Sequence, residues 1–164
     1  MTEVLAELEL TAGPVTLRRA RAADVPVIVS LLAADQLGAT RDGIHDEADR
    51  AAYVAAFDAI DADPAQLLVV AETAGAVVGT LQLSFLPGLA RRGALRGQIE
   101  AVRVAAGSRA GGLGAAMLAW AIEECRRRGC ALVQLTTDKA RGDAHRFYRR
   151  LGFVASHEGM KLVL

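Results

Sequence analysis

The stretch SRAGGLGAAM, residues 108–117, sets glycines at 111, 112 and 114 where an apolar, alanine-rich helix begins. Inside a helix glycine costs about 1 kcal/mol relative to alanine, so three of them at a helix start need a reason other than helix formation. Upstream, QIEAVRVAA (98–106) alternates as a strand, and downstream the helical pattern runs to Arg128. A strand, a glycine turn and a helix start aim several free N–H groups and the positive helix end at one point, which suits an anion. Glycine admits positive φ and leaves no Cβ to hold a phosphate away. Arg109 adds a fixed charge able to grip phosphate through two N–H groups. These ten residues leave the anion open. A nucleoside triphosphate loop needs Lys and Ser or Thr, which do not follow Gly114; a dinucleotide loop needs a third glycine where Met117 stands and an acid near Gln134 and Leu135. A glycine loop tolerated by packing also stays open.

Working outward, PVTLRRA (14–20) reads as a strand and AADVPVIVSLLAAD (22–35) as a helix, with Asp24 and Pro26 in capping and first-turn places. The loop GATRDGIHD (38–46) leads to a second helix over 47–62, with Ala52, Ala55, Ala56 and Ala59 as a small-residue face. The period then falls to two: QLLVVAE (66–72) and AVVGTLQLSF (76–85) flank a TAG turn as a hairpin. LPGLARRGALRG interrupts before the strand at 98. The central helix gains the i,i+4 pairs Glu123 with Arg127 and Glu124 with Arg128, and Gly129 stops it. CALVQLTTD (130–138) reads as a strand, DAHRFYRRL (143–151) as a short helix ended by Gly152, and GFVAS with GMKLVL as a terminal hairpin. The sum is a mixed sheet covered by helices. Residues 1–13 read as a loose extension and 14–164 as a single domain, with no repeat or low-complexity linker dividing it.

A chain of 164 residues buries roughly two-thirds of its unfolded surface and needs no metal or disulfide staple. With 19 basic and 19 acidic residues it carries no global field to draw nucleic acid or an anionic membrane. Arg18, Arg19 and Arg21, Arg91 with Arg92, Arg126 to Arg128, and Arg149 with Arg150 read mostly as solvated faces. Cys125 and Cys130 read as reduced thiols, the start lacks the basic segment of a secretory signal, and no apolar run reaches spanning length. The expected location is cytoplasmic.

Arg109-x-x-Gly112-x-Gly114 resembles the (Q/R)xxGx(G/A) pyrophosphate signature of the GCN5-related N-acetyltransferases, the GNAT family. IEAVRV (99–104) is similar to that family's acetyl-CoA strand, and RGDAHRFYRRLGF (141–153) to its C-terminal Asn-x-x-Ala, Tyr and Gly-Phe pattern. The order of elements agrees from Val15 to Leu164. Arg141 departs from the pattern, standing where the family often has Asn, so no cofactor contact is carried over to it. The resemblance implies an α/β fold, a central mixed sheet flanked by about four helices, with two parallel strands, 98–104 and 130–136, splayed apart, often with a bulge, around the pantetheine arm. It implies acetyl-CoA as cosubstrate, no metal, and direct transfer to a small-molecule or peptide amine, the small molecule being preferred. By the same resemblance Val102 and Val104 contact the pantetheine amides. The pyrophosphate rests on the N–H groups of Arg109, Ala110, Gly111, Gly112, Leu113, Gly114 and Ala115, and Tyr148 donates to the departing sulfur.

An amine of pKa near 10.4 must also lose a proton, which costs roughly 4 to 5 kcal/mol at pH 7, and a carboxylate helps. Glu100 lies on the cofactor strand, where alternation puts it on one face with Gln98 and Val102. It is the expected base, with a rim carboxylate paired to arginine as the competing reading. Asp35, Asp42 and His45 are alternatives in the loop region expected to face the amine. Tyr148 also shares an i, i+3, i+4, i+7 face with Ala144, Phe147 and Leu151, as a core residue does. Arg91, Arg92 and Arg96 are candidates for an acidic group on the substrate, Arg146, Arg149 and Arg150 for the cofactor 3′-phosphate, and Met117 and Trp120 for packing. A non-catalytic acyl-CoA sensor is the alternative function. The apolar MKLVL end offers an edge for a homodimer.

Overall fold

The computed structural model describes residues 3–35 and 37–164. Six strands form one sheet in sequence order: β1 (Val4–Leu10), β2 (Gly13–Arg19), β3 (Gln66–Thr73), β4 (Ala76–Leu86), β5 (Arg96–Val104) and β6 (Leu132–Leu135). Every neighbouring pair is antiparallel except β5 and β6, which are parallel. Helices α1 (Val25–Ala33) and α2 (Glu47–Ala62) follow β2, the single turn α3 (Ala90–Gly93) precedes β5, α4 (Leu113–Arg127) connects β5 to β6, and α5 (Gly142–Arg150) follows.

One face of the sheet packs Leu17, Leu67, Val69, Leu81, Leu83 and Ile99 against Leu113, Met117, Leu118, Ala121 and Cys125 of α4. Gly97 permits this: a Cβ there would lie 2.4 Å from Cys125 Sγ. Burial pushes the Cys125 thiol up to about 12, which leaves it inert at neutral pH. The other face buries Val70 against Val25, Ile28 and Val29 of α1 and Phe57 of α2.

Several expectations are corrected. Residues 4–10 are not loose: Val4–Leu10 pairs with β2 as a hairpin, with Ala6, Leu8 and Leu10 half-buried and Glu7 and Glu9 outward. That two-residue alternation is legible in the sequence. The alanines of α2 face solvent, because Tyr53, Phe57 and Ile60 supply the inward row. Arg18 is no solvated residue; it is buried, bidentate to Asp24 at 2.7 and 3.0 Å, with Glu72 at 2.7 Å. Glu124 does pair with Arg128 (2.7 Å) and also holds Arg127 (2.5 Å), so Glu123 pairs with Arg126 instead (2.9 Å). The terminal hairpin is absent: no residue from 153 to 164 is in a strand. Ser156 N–H closes on the Val154 carbonyl at 2.9 Å, a tight turn that breaks the extended run. Met160, Leu162, Val163 and Leu164 are exposed beyond it.

Candidate active site

Strand β5 carries the decisive irregularity. Thr80 pairs with Arg103 and Gln82 with Glu100, so Ala101 and Val102 oppose Leu81 alone, and Ala101 adopts φ +53°. This is a β-bulge. A non-glycine residue in that region costs about 1–2 kcal/mol, strain of the kind that collects at functional positions. The parallel ladder to β6 ends at Ile99 with Leu135, although β5 continues to Val104. Beyond the bulge, the β6-facing edge of β5 has no ladder partner among the described residues.

The bulge also changes which side chains share a face. Val102 and Val104 pack with Ile99 on the α4 side, whereas Glu100 stays with Gln98 on the opposite side. The expected grouping of Glu100 with Val102 is therefore wrong, and simple alternation misses it because nothing in IEAVRV marks a bulge. On the opposite face Gln66, Ser84, Gln98 and Gln134 stand in register across four strands. Gln134 Nε2 donates to Gln98 Oε1 (2.9 Å), Gln98 Nε2 to Glu100 Oε1 (2.8 Å), and Ser84 Oγ to Gln66 Oε1 (2.7 Å). This amide row fixes the Glu100 carboxylate, which is itself exposed.

At the end of β5 the chain makes a 3₁₀ segment, Ala106–Gly111, and Gly112 turns left-handed at φ +76° to start α4. A side chain there would meet no steric obstacle, so the backbone conformation is what asks for glycine. No side chain caps α4, and Ala116 is the first of its residues to bond back, to the Gly112 carbonyl at 3.0 Å. Leu113, Gly114 and Ala115 thus present the free N–H groups of a helix first turn. Arg109 Nε donates to the Val104 carbonyl at 3.1 Å, which ties the 3₁₀ segment to the strand end. Ala110 and Gly111 complete the 3₁₀ segment before Gly112. An uncapped helix start thus follows a strand edge left without a ladder partner among the described residues, a combination suited to an anion that carries an amide-bearing arm.

Tyr148 sits on α5 against Phe147 (5.4 Å between ring centres) and Phe153 (6.0 Å). Burial raises its phenol above the ordinary 10, and the positive fields of Arg103 and Arg141 offset this only in part. The phenol is a protonated donor at neutral pH. Arg141 Nη2 crosses to Asp35 Oδ2 at 2.7 Å, tying the start of α5 to the chain just after α1. Asp35 also accepts from Gly38 N–H at 2.6 Å and lies 3.5 Å from Arg103 Nε. Burial opposes its charge, but the Gly38 N–H and Arg141 outweigh that and hold the carboxyl below its ordinary 3.8. A carboxylate so occupied is a poor base. Asp42 accepts from the Tyr53 hydroxyl at 3.2 Å, and His45 lines a cavity of about 430 Å³ in the same loop with Arg41, Asp42 and Tyr53. Arg91 and Arg92 lie on the exposed turn α3, both left-handed, and Arg96 begins β5. Sequence reading missed Arg103 and the glutamine row; a charged residue within an otherwise apolar strand pattern was the available signal for Arg103.

A splayed parallel pair beside an uncapped glycine-led helix defines an acyl-CoA transferase fold. A profile of the Acetyltransferase (GNAT) family matches residues 32–153. The chain is 36% identical over 114 residues to the aminoalkylphosphonate N-acetyltransferase of Salmonella typhimurium, covering 70% of this chain and 73% of that one. Among solved structures, a transcriptional regulator from Bacillus halodurans C-125 matches with TM-score 0.87 at 44% identity, over 92% of this chain and 99% of that one. An acetyltransferase of Trypanosoma brucei matches with TM-score 0.73 at 26% identity, over 92% and 99%. The chain belongs to the GNAT acetyltransferase family, and is an acetyl-CoA-dependent N-acetyltransferase.

Proposed function

We propose that the chain acetylates the primary amine of a small molecule, with Glu100 as base and Tyr148 as donor to the leaving thiol. The observation that carries this is the bulge at Ala101, which opens the β5 edge and turns Val102 onto the face opposite Glu100. When bound, acetyl-CoA supplies the activated acetyl group. The free N–H groups of Leu113, Gly114 and Ala115 would hold its diphosphate, those of Arg109 to Gly111 being spent within the 3₁₀ segment, and backbone groups of Val102 and Val104 would hold the amide arm, so the protein contributes mainly position.

Glu100, steadied by Gln98, takes the amine proton directly or through water. A backbone N–H near Val102 donates to the oxyanion that develops during transfer. Tyr148 then donates to the sulfur. With a thiol near 8.5 and an ordinary phenol near 10, complete proton transfer is uphill by roughly 2 kcal/mol, and burial of Tyr148 makes it more so. Its role is therefore a hydrogen bond that strengthens as the thiolate forms.

The small-molecule preference is supported by the Salmonella relative, whose name specifies an aminoalkylphosphonate. The name of the Bacillus halodurans neighbour favours a second reading, a regulatory acyl-CoA sensor. Release of free thiol from acetyl-CoA, measured with a panel of small amines and peptides, separates them. Thiol release with small amines supports the enzyme reading; acetyl-CoA binding without release from any acceptor overturns it in favour of the sensor.

A further inference from the structure

Among the described residues one buried polar side-chain atom has no hydrogen-bond partner, Nε of Arg103. Its side chain is 17% exposed. A guanidinium has five donors, and the hydrogen bond found for this one runs from Nη1 to the Val102 carbonyl at 2.9 Å. An unmet buried donor is costly, and more so when charged, so its persistence asks for a ligand.

The surroundings say which kind. Arg103 and Arg141 both turn to the same oxygen of Asp35, at 3.5 and 2.7 Å. Arg41 and Asp42 are the next charges acting on Arg103, and Asp42 is already bonded to Tyr53. At Asp35 two guanidiniums thus share one carboxylate. Beyond it Arg41 lines the loop cavity with the carboxylates of Asp42 and Asp49, the latter accepting from the His45 N–H at 2.9 Å. The local excess at Asp35 is positive, and Arg103 and Arg141 both act on the Tyr148 phenol.

We propose that Arg41, Arg103 and Arg141 receive an acidic group on the acceptor amine, a phosphonate, phosphate or carboxylate, while Glu100 receives the amine. This rests on the acetyltransferase reading above. Glu100 and Arg103 leave the same face of β5 three positions apart, a span of about 10 Å at most. A short linker between amine and acid bridges such a span. Guanidinium is the group suited to this, because its planar fork meets an oxyanion through two parallel N–H bonds.

The test compares 3-aminopropylphosphonate with 3-aminopropanol at constant ionic strength, following thiol release. The wild type should favour the phosphonate by about 100-fold in kcat/KM, mostly through KM, and Arg103→Gln should cut that preference below tenfold. Arg41→Gln, at an exposed position, should reduce it in part and guards against misfolding of the first variant. Methylphosphonate should compete with the amine. Equal rates with both amines overturn the acid receptor and leave the acetyltransferase reading standing. If no amine releases thiol, the function reading fails, and calorimetry of methylphosphonate still decides the receptor: heat lost in Arg103→Gln upholds it, and no heat with wild type overturns it.

Discussion

Strands β2 to β4 and strands β5 to β6 belong to one sheet, but their neighbours treat them differently. Leu17, Leu67, Val69, Val70, Leu81 and Leu83 have at most 1% of their surface exposed, enclosed between α4 on one side and α1 with α2 on the other. All four residues of β6 are partly exposed, its ladder to β5 ends after Ile99, and β5 itself is bulged. The difference teaches where the free energy of folding is placed. A finished, sealed half holds the fold, and that allows the other half to keep an unpaired strand edge and a strained residue for a ligand to use.

The largest test of that division is a core truncation. Leu83→Ala should destabilise the protein by about 2–5 kcal/mol, read as a lower urea midpoint, while the turnover of molecules still folded changes little. Val133→Ala on β6 should cost less than about half as much. Equal losses at the two sites would erase the distinction between the halves.

The next effects belong to the open half and should appear in rates rather than stability. Tyr148→Phe should lower kcat by about 100-fold, with acetyl-CoA affinity and Tm nearly unchanged; an equal loss of affinity and Tm would make Tyr148 a packing residue on the Phe147 and Phe153 rings. Gly112→Val forces a branched side chain into the left-handed region at φ +76°. It should weaken acetyl-CoA binding about tenfold by calorimetry, and unaltered binding would move the diphosphate away from the start of α4.

How much of this was legible in the chain also follows the division. Most sealed strands announced themselves: LLVV and TLQLSF with the TAG turn between them give β3 and β4 almost to the residue, since period two and turn chemistry are local. The glycine-led start of α4 was legible for the same reason. Other features depend on partners distant in sequence. The bulge at Ala101 has no glycine to mark it, Arg18 is buried by Glu72 fifty-four positions away, and Asp35 meets Arg141 across a separation of 106. The terminal hairpin shows the converse error: GMKLVL alternates well enough to be a strand, but alternation alone does not supply a pairing edge.

The smallest effects at neutral pH come from ionisable groups, and here acid and base act on different ones. Burial disfavours the charge on Glu124, but Arg128 and Arg127 outweigh it and hold its carboxyl below the ordinary 4.5; Arg18 and the Arg21 N–H do the same for Asp24 relative to 3.8. A carboxyl with a depressed folded value contributes stability that is complete above its unfolded value and lost as pH falls through the folded one. Stability should therefore hold down to about pH 4.5 and decline below it, and Glu124→Gln should shrink the decline while slightly lowering stability at pH 7. Tyr148 has the reverse sign: its raised value favours the protonated phenol, so its contribution is present below 10 and lost only as pH rises beyond that. Acid should then unfold the protein through groups on α4, around Arg18 and at Asp35, whereas base should first remove the proton that turnover needs. Urea midpoints and kcat measured across the same pH series check this, and an acid decline unchanged in Glu124→Gln would take that carboxylate out of the account.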